Sequence, residues 1–118
     1  MNSESRIFPL ADYLQPSEGD PVRSVVLETA ESVIVAWHVR PGQEIAAHTH
    51  PQGQDTWTVL SGAADYFQGD GVAYRLKAGD IAVARPGQVH GAKTIGAEPF
   101  VFVSVVAAGD AGYALAEK

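Results

Sequence analysis

The sequence predicts an all-β protein, built as an antiparallel sandwich or barrel. Three observations carry this. Short segments rich in β-branched residues recur along the chain. Turns bearing Gly and Pro separate them. No segment carries an apolar stripe of helical period and useful length. Many short strands with such punctuation belong to sandwiches and barrels rather than to layered α/β folds.

Residues 1–20 read as an N-terminal arm, with a short turn over 11–15, suited to packing along a sheet edge and shielding it from stray pairing. Residues 21–118 then form one domain. Its first strands are 22–28 and 32–40, both rich in β-branched residues. Pro41-Gly42 follows, the preferred pair for a type II turn, because proline presets φ and glycine accepts a positive φ. Further strands are expected over 43–50, 55–61, 63–68, 72–77 and 81–85. Ser61-Gly62, Gly69-Asp70-Gly71 and Lys77-Ala78-Gly79-Asp80 supply the reversals between them. The last strand is 99–107, an apolar run without polar alternation, which reads as covered on both faces. The tail 111–118 is expected to fray into a turn. No internal sequence repeat is read.

Composition narrows the function classes. The chain has 118 residues, of which 46% are hydrophobic and 19% charged, enough for one proper core and too ordered in character for a disordered chain. The formal net charge of −6 and the lack of a Lys/Arg run argue against nucleic acid as a partner. No apolar stretch approaches the roughly 20 residues of a spanning helix, which argues against a membrane role. The polar N-terminus lacks a signal-peptide hydrophobic region, so a cytoplasmic location is expected. The absence of cysteine excludes disulfides, thiolate ligands and cysteine nucleophiles.

One place in the sequence speaks about chemistry. His48 and His50 form a His-x-His pair, Asp55 follows closely, and His90 comes forty residues after His50. In an extended segment residues i and i+2 share a face, so the pair aims two imidazoles at one point. Imidazole suits Zn, Cu, Fe and Ni, and a carboxylate adds a hard oxygen donor.

In order, the residues run Gly42, His48, His50, Asp55, Gly62, and then Gly79, Arg85, Pro86, Gly87, His90. Two blocks with these spacings resemble the two motifs of the cupin family, over residues 42–94. There are three departures. Asp55 stands at the family's glutamate, Arg85 at its proline and Thr94 at its asparagine. Aspartate is one methylene shorter, so its oxygen falls about 1.5 Å short. The strand could sit closer, a water could bridge, or Asp55 could accept a hydrogen bond from a ligating histidine. Gln54 is a possible substitute donor, although it faces the opposite side of a regular strand.

The resemblance implies a double-stranded β-helix, or jelly roll, with one divalent transition metal ion (Fe, Mn, Ni or Zn) in the mouth of the barrel. His48, His50 and His90 would ligate it, with Asp55 as fourth ligand. Trp57 shares a face with Asp55 and is a candidate pocket wall. Tyr66 is a core or pocket aromatic, and Arg85 or Arg40 a candidate anchor for an anionic substrate. The expected partner is a small molecule that chelates the metal through oxygen, in dioxygenase-type or isomerase/lyase-type chemistry. The alternative is a non-catalytic binder or sensor. The resemblance also implies a homodimer, paired through the arm and segment 22–40.

Overall fold

A computed structural model describes residues 5–118. The first four residues of the expected arm lie outside the described residues. A 3-10 turn, Leu10–Asp12, precedes ten strands: β1 Ser24–Glu28, β2 Val33–Val39, β3 Glu44–Thr49, β4 Gln54–Ser61, β5 Ala63–Phe67, β6 Ala73–Lys77, β7 Ile81–Ala84, β8 His90–Ile95, β9 Phe100–Ala107 and β10 Ala114–Leu115. They form two five-stranded antiparallel sheets, ordered β1-β2-β9-β4-β7 and β10-β3-β8-β5-β6. The architecture is the double-stranded β-helix. Among the described residues no helix is long and apolar enough to cross a membrane.

Two strands depart from the sequence reading. β8 was not among the expected strands, because His90-Gly91-Ala92-Lys93 offers little β-branched character. It pairs on both sides, with β3 and β5, and this pairing overrides weak local propensity. The tail is no frayed turn: Ala114 and Leu115 pair with Thr49 and His48, closing the edge of the second sheet. β9 is central in its sheet, as its composition suggests. Its inward residues Phe100, Phe102 and Ser104 are buried, but Val101, Val103 and Val105 on the outer face are only half-buried.

The core lies between the sheets. Phe102 stacks on Trp57 at 4.1 Å between ring centroids and on Trp37 at 6.0 Å. Val39, Ile45, Val59, Leu76 and Phe100 pack around them. Burial of each such side chain contributes about 1.5–3 kcal/mol. Thr94, at the departure from the family's asparagine, is buried and donates from its hydroxyl to the Val39 carbonyl at 3.0 Å, tying β8 to β2.

The turns contain a repeat too short for the sequence reading to register. Arg40-Pro41-Gly42-Gln43 and Arg85-Pro86-Gly87-Gln88 fold alike. In each, the glutamine amide oxygen accepts from the arginine backbone N–H at 2.8 Å. In each, the glutamine N–H returns to the arginine carbonyl, at 3.0 and 2.9 Å. The glycines take φ of +84° and +79°, as the third position of a type II turn requires. These two turns deliver the chain into β3 and β8, the strands that carry the histidines. Gln43 also donates to the Ser17 carbonyl at 2.8 Å, and Gln15 to the Ser24 hydroxyl at 3.0 Å, so the residues before β1 are tied to the sheets.

Candidate metal centre

The site is assembled from both sheets at one end of the barrel. His48 and His90 come from the second sheet, directly opposed across β3 and β8. His50 lies one residue past the end of β3, and Asp55 is the second residue of β4 in the first sheet.

Local strand geometry decides whether His48 faces inward. Ile45 and Ala47 are both buried, so strict alternation would turn His48 outward. A bulge intervenes: the β3–β8 register shifts between Ile45 and His48, with one more residue on β3 than on β8. The face resets, and His48 is buried beside Ala47. Gly91, next to His90, makes room for the bulge. A Cβ there would lie 2.8 Å from the Ala47 Cα and 2.9 Å from the Ile45 carbonyl oxygen. The His48–His50 pair lies beyond the bulge, so the bulge sets which face the pair takes: the inner one.

His48, His50, Asp55 and His90 each offer a ligand atom, and these atoms all lie within 4.8 Å of one another. Ligand atoms about 2.1 Å from a shared ion lie about 3–4 Å apart, so small adjustments close the set. The rings are fixed from behind. Nδ1 of His48 donates to the Ala46 carbonyl at 2.6 Å, Nδ1 of His50 to Gly112 at 2.7 Å, and Nδ1 of His90 to Gln88 at 3.1 Å. A carbonyl only accepts, so each Nδ1 carries the proton and each neutral ring turns its Nε2 lone pair away from that carbonyl.

Asp55 reaches the cluster despite its shorter side chain. Its Oδ2 lies 2.9 Å from Nε2 of His90 and 3.4 Å from Nε2 of His50. Its Oδ1 is buried with no hydrogen-bond partner among the described residues. Three lone-pair nitrogens facing a buried carboxylate are a set of acceptors without donors. A cation, whether a metal ion or protons on the rings, reconciles them, and the residues present fit a divalent ion.

The proton affinities reflect this packing. Burial lowers the His48 pKa from 6.5 to about 4, against the pull of its bond to Ala46. The Asp55 hydrogen bond raises His50, against burial. Burial pushes Asp55 up, but hydrogen bonds from His50 and His90 outweigh it and bring the carboxyl from 3.8 to about 2. The metal-free site is thus an anionic carboxylate with one neutral and one proton-hungry imidazole beside it.

The cluster opens into a cavity of about 590 Å³, a volume ordinary for a small-molecule site. Trp57 lines it, as the shared face with Asp55 suggests. Its indole N–H approaches the carboxylate without an aligned hydrogen bond. Tyr66 and Arg85 do not line it. Tyr66 is buried behind Trp57, edge-on at 5.4 Å, and burial with the Asp55 charge pushes its phenol up to about 12. Arg85 is exposed and borders a separate recess of about 300 Å³ together with Tyr66. Arg40 does not border the cavity either; its backbone closes the first Arg-Pro-Gly-Gln turn. Gln54 is exposed and faces away, as strand alternation requires.

Several cavity residues escaped sequence reasoning. Arg23 and Asp20 come from the approach to β1, Trp37 and Ser104 from inward positions of β2 and β9, and Tyr113 from the tail. Ser104 had a signal, as the one polar residue within an apolar run. Tyr113 had none, because its position depends on how the tail folds back.

The family model described as the cupin domain matches residues 35–106. A conserved protein with a double-stranded β-helix domain from Klebsiella pneumoniae is 68% identical, with a TM-score of 0.94 over 98% of this chain and 100% of that one. KdgF from a Halomonas species is 25% identical, with a TM-score of 0.67 over 79% of this chain and 85% of that one. A predicted oxalate decarboxylase from Thermotoga maritima shares the fold at 16% identity, with a TM-score of 0.72 over 86% and 98%. No curated protein shows significant similarity to the chain. The matched segment runs from β2 into β9 and contains all four clustered residues; the chain belongs to the cupin domain family.

Proposed function

We propose that the protein binds one divalent transition metal ion, of the Fe, Mn, Ni or Zn kind, through His48, His50, His90 and Asp55. We propose further that it acts as a small metalloenzyme on an oxygen-chelating organic substrate, in dioxygenase-type or isomerase/lyase-type chemistry. One observation carries the reading. Three Nε2 lone pairs, oriented by backbone carbonyls, converge with a buried carboxylate, and His48, His50 and Asp55 of this set line a ligand-sized cavity. A neighbour of the same fold that carries an enzyme name, the predicted oxalate decarboxylase, supports it at the level of the fold.

The bound ion would supply Lewis-acid polarisation of a chelating oxygen and, for a redox-active metal, electron transfer. The chain's own residues do the rest. The carbonyls of Ala46, Gly112 and Gln88 hold each imidazole in the tautomer that presents Nε2. Asp55 offsets one positive charge of the ion and holds His50 and His90 in register when the metal is absent. Trp57, stacked on Phe102, keeps water from the inner side of the site and offers its N–H beside Asp55. With His48, His50, His90 and Asp55 holding the ion, a bidentate oxygen chelator would complete its donor set.

The test is anaerobic reconstitution with Fe(II), followed by oxygen uptake across a panel of diketones, catechols and thiols. Metal-dependent uptake supports the oxygenase. Metal-dependent conversion without oxygen uptake supports the isomerase or lyase. Ligand binding that ignores the metal instead supports the non-catalytic binder. We also propose a homodimer. Ile81, Val83 and Leu60 are 64%, 41% and 47% exposed on the outer side of the first sheet, next to half-buried Val101, Val103 and Val105. Burying that face against a second copy would remove it from water, and it offers a contact besides the arm and segment 22–40 that the resemblance implies. A clean monomer on gel filtration contradicts this.

A further inference from the structure

The mouth of the cavity carries two side chains that the metal centre leaves unused. Arg23 lines it, is exposed, and pairs with no carboxylate among the described residues. Tyr113 lies over the cluster, its ring 5.0 Å from that of His48 with 30° between the planes. It is nevertheless 61% exposed and lines the cavity.

The segment that carries Tyr113 is tied down on both sides of it. The Ala111 carbonyl accepts from Gln52 at 2.8 Å, and Ala116 donates to the Ala47 carbonyl at 3.0 Å. The Gly112 carbonyl orients His50. Lys118 pairs with Glu44 at 3.0 Å and sits over the Phe67 ring at 4.7 Å. An aromatic ring held that firmly in solvent is placed rather than left over.

We propose that Arg23 and Tyr113 form an anion-holding rim, so that the site takes a small 2-oxo or 2-hydroxy carboxylate. This rests on the metal reading above. The ligand would chelate through its 2-oxygen and one carboxylate oxygen. The second carboxylate oxygen would turn toward the Arg23 guanidinium and the Tyr113 hydroxyl. Trp37, Trp57 and Val106 form the apolar wall that receives the substituent. Charge agrees. A divalent ion with Asp55 and neutral imidazoles leaves one net positive charge, and Arg23 adds another. Asp20 at the rim removes one, and Glu44 is already paired with Lys118. A monoanion brings the site to neutrality, which favours its transfer from water.

The probes are Zn(II), phenylglyoxylate and methyl phenylglyoxylate, measured by titration calorimetry on the full chain. Zinc is redox-inert, so binding is read without turnover. Failure to bind Zn(II) overturns the metal reading and this inference with it. Zn(II) binding without acid binding, or equal affinity for acid and ester, overturns the inference alone. The expected result is tighter binding of the acid. Arg23→Gln should weaken the acid about tenfold and leave ester affinity unchanged. Tyr113→Phe, which keeps the ring over His48, should weaken the acid about fivefold. Unchanged acid affinity in either variant overturns the proposal.

Discussion

Acidifying the metal-free protein should expose the cost of burying His48. Its pKa is lowered from 6.5 to about 4 in the fold, chiefly by burial, with the charges of His90 and His50 adding to the effect. Between those values the unfolded chain holds a proton that the folded chain refuses. Stability therefore falls as pH drops through 6.5 toward 4. The loss attributable to His48 is about 2 kcal/mol on going from about pH 7.5 to about pH 5, and about 3 kcal/mol by about pH 4. His50 works the other way. Its raised value contributes stability that is fully present below 6.5 and is lost as pH rises through the folded value. Asp55, lowered to about 2 from 3.8, contributes stability above 3.8 that is lost only as pH falls from there toward 2. The wild-type profile is a sum of these opposing parts, so a variant has to separate them. Urea denaturation of chelator-treated wild type and His48→Gln, at several pH values from about 7.5 to 5, does so. The variant should lose about 2 kcal/mol less than wild type over that range. Parallel profiles would show that His48 is not buried as a neutral ring and would refute the reasoning.

Other perturbations probe the geometry. Gly91→Ala would drive a methyl group into the backbone of the β3 bulge, costing about 1–3 kcal/mol in denaturant unfolding and weakening Zn(II) affinity in calorimetry, because His48 and His90 are forced apart. Thr94→Val should cost about 1–2 kcal/mol by leaving the Val39 carbonyl unpaired, yet leave metal content unchanged by plasma emission analysis. His50→Ala and His90→Ala should each reduce metal content more than Asp55→Ala does; an equal or greater loss from the aspartate change would reverse the ranking of the ligands.

Much of the fold was legible because strand period and turn chemistry are local signals. Val33–Val39 and Gln54–Ser61 fall within a residue of their expected bounds, since β-branched runs and flanking glycines mark them directly. β8 was illegible for the opposite reason: its stability comes from two neighbouring strands, and its own residues carry little preference. The four clustered residues were legible from spacing. The bulge that turns His48 inward was not, because it depends on Gly91 in a strand forty residues away. Asp55 looked too short by one methylene. β4 brings its carboxylate into hydrogen-bond contact with His90, a tertiary distance that no residue type encodes. The tail was the largest gap. Tyr113 reaches His48 only because β10 adds to the edge of β3, and two paired residues leave no periodic trace.

The central claim is that the three Nε2 atoms share an ion. Anomalous diffraction at the zinc edge, from crystals of chelated protein soaked with Zn(II), tests it directly. The account predicts a single strong peak about 2.0–2.1 Å from Nε2 of His48, His50 and His90, with an Asp55 oxygen at about 2.0–2.2 Å. A peak bound through Nδ1, or no peak between the rings at full soaking, would contradict it.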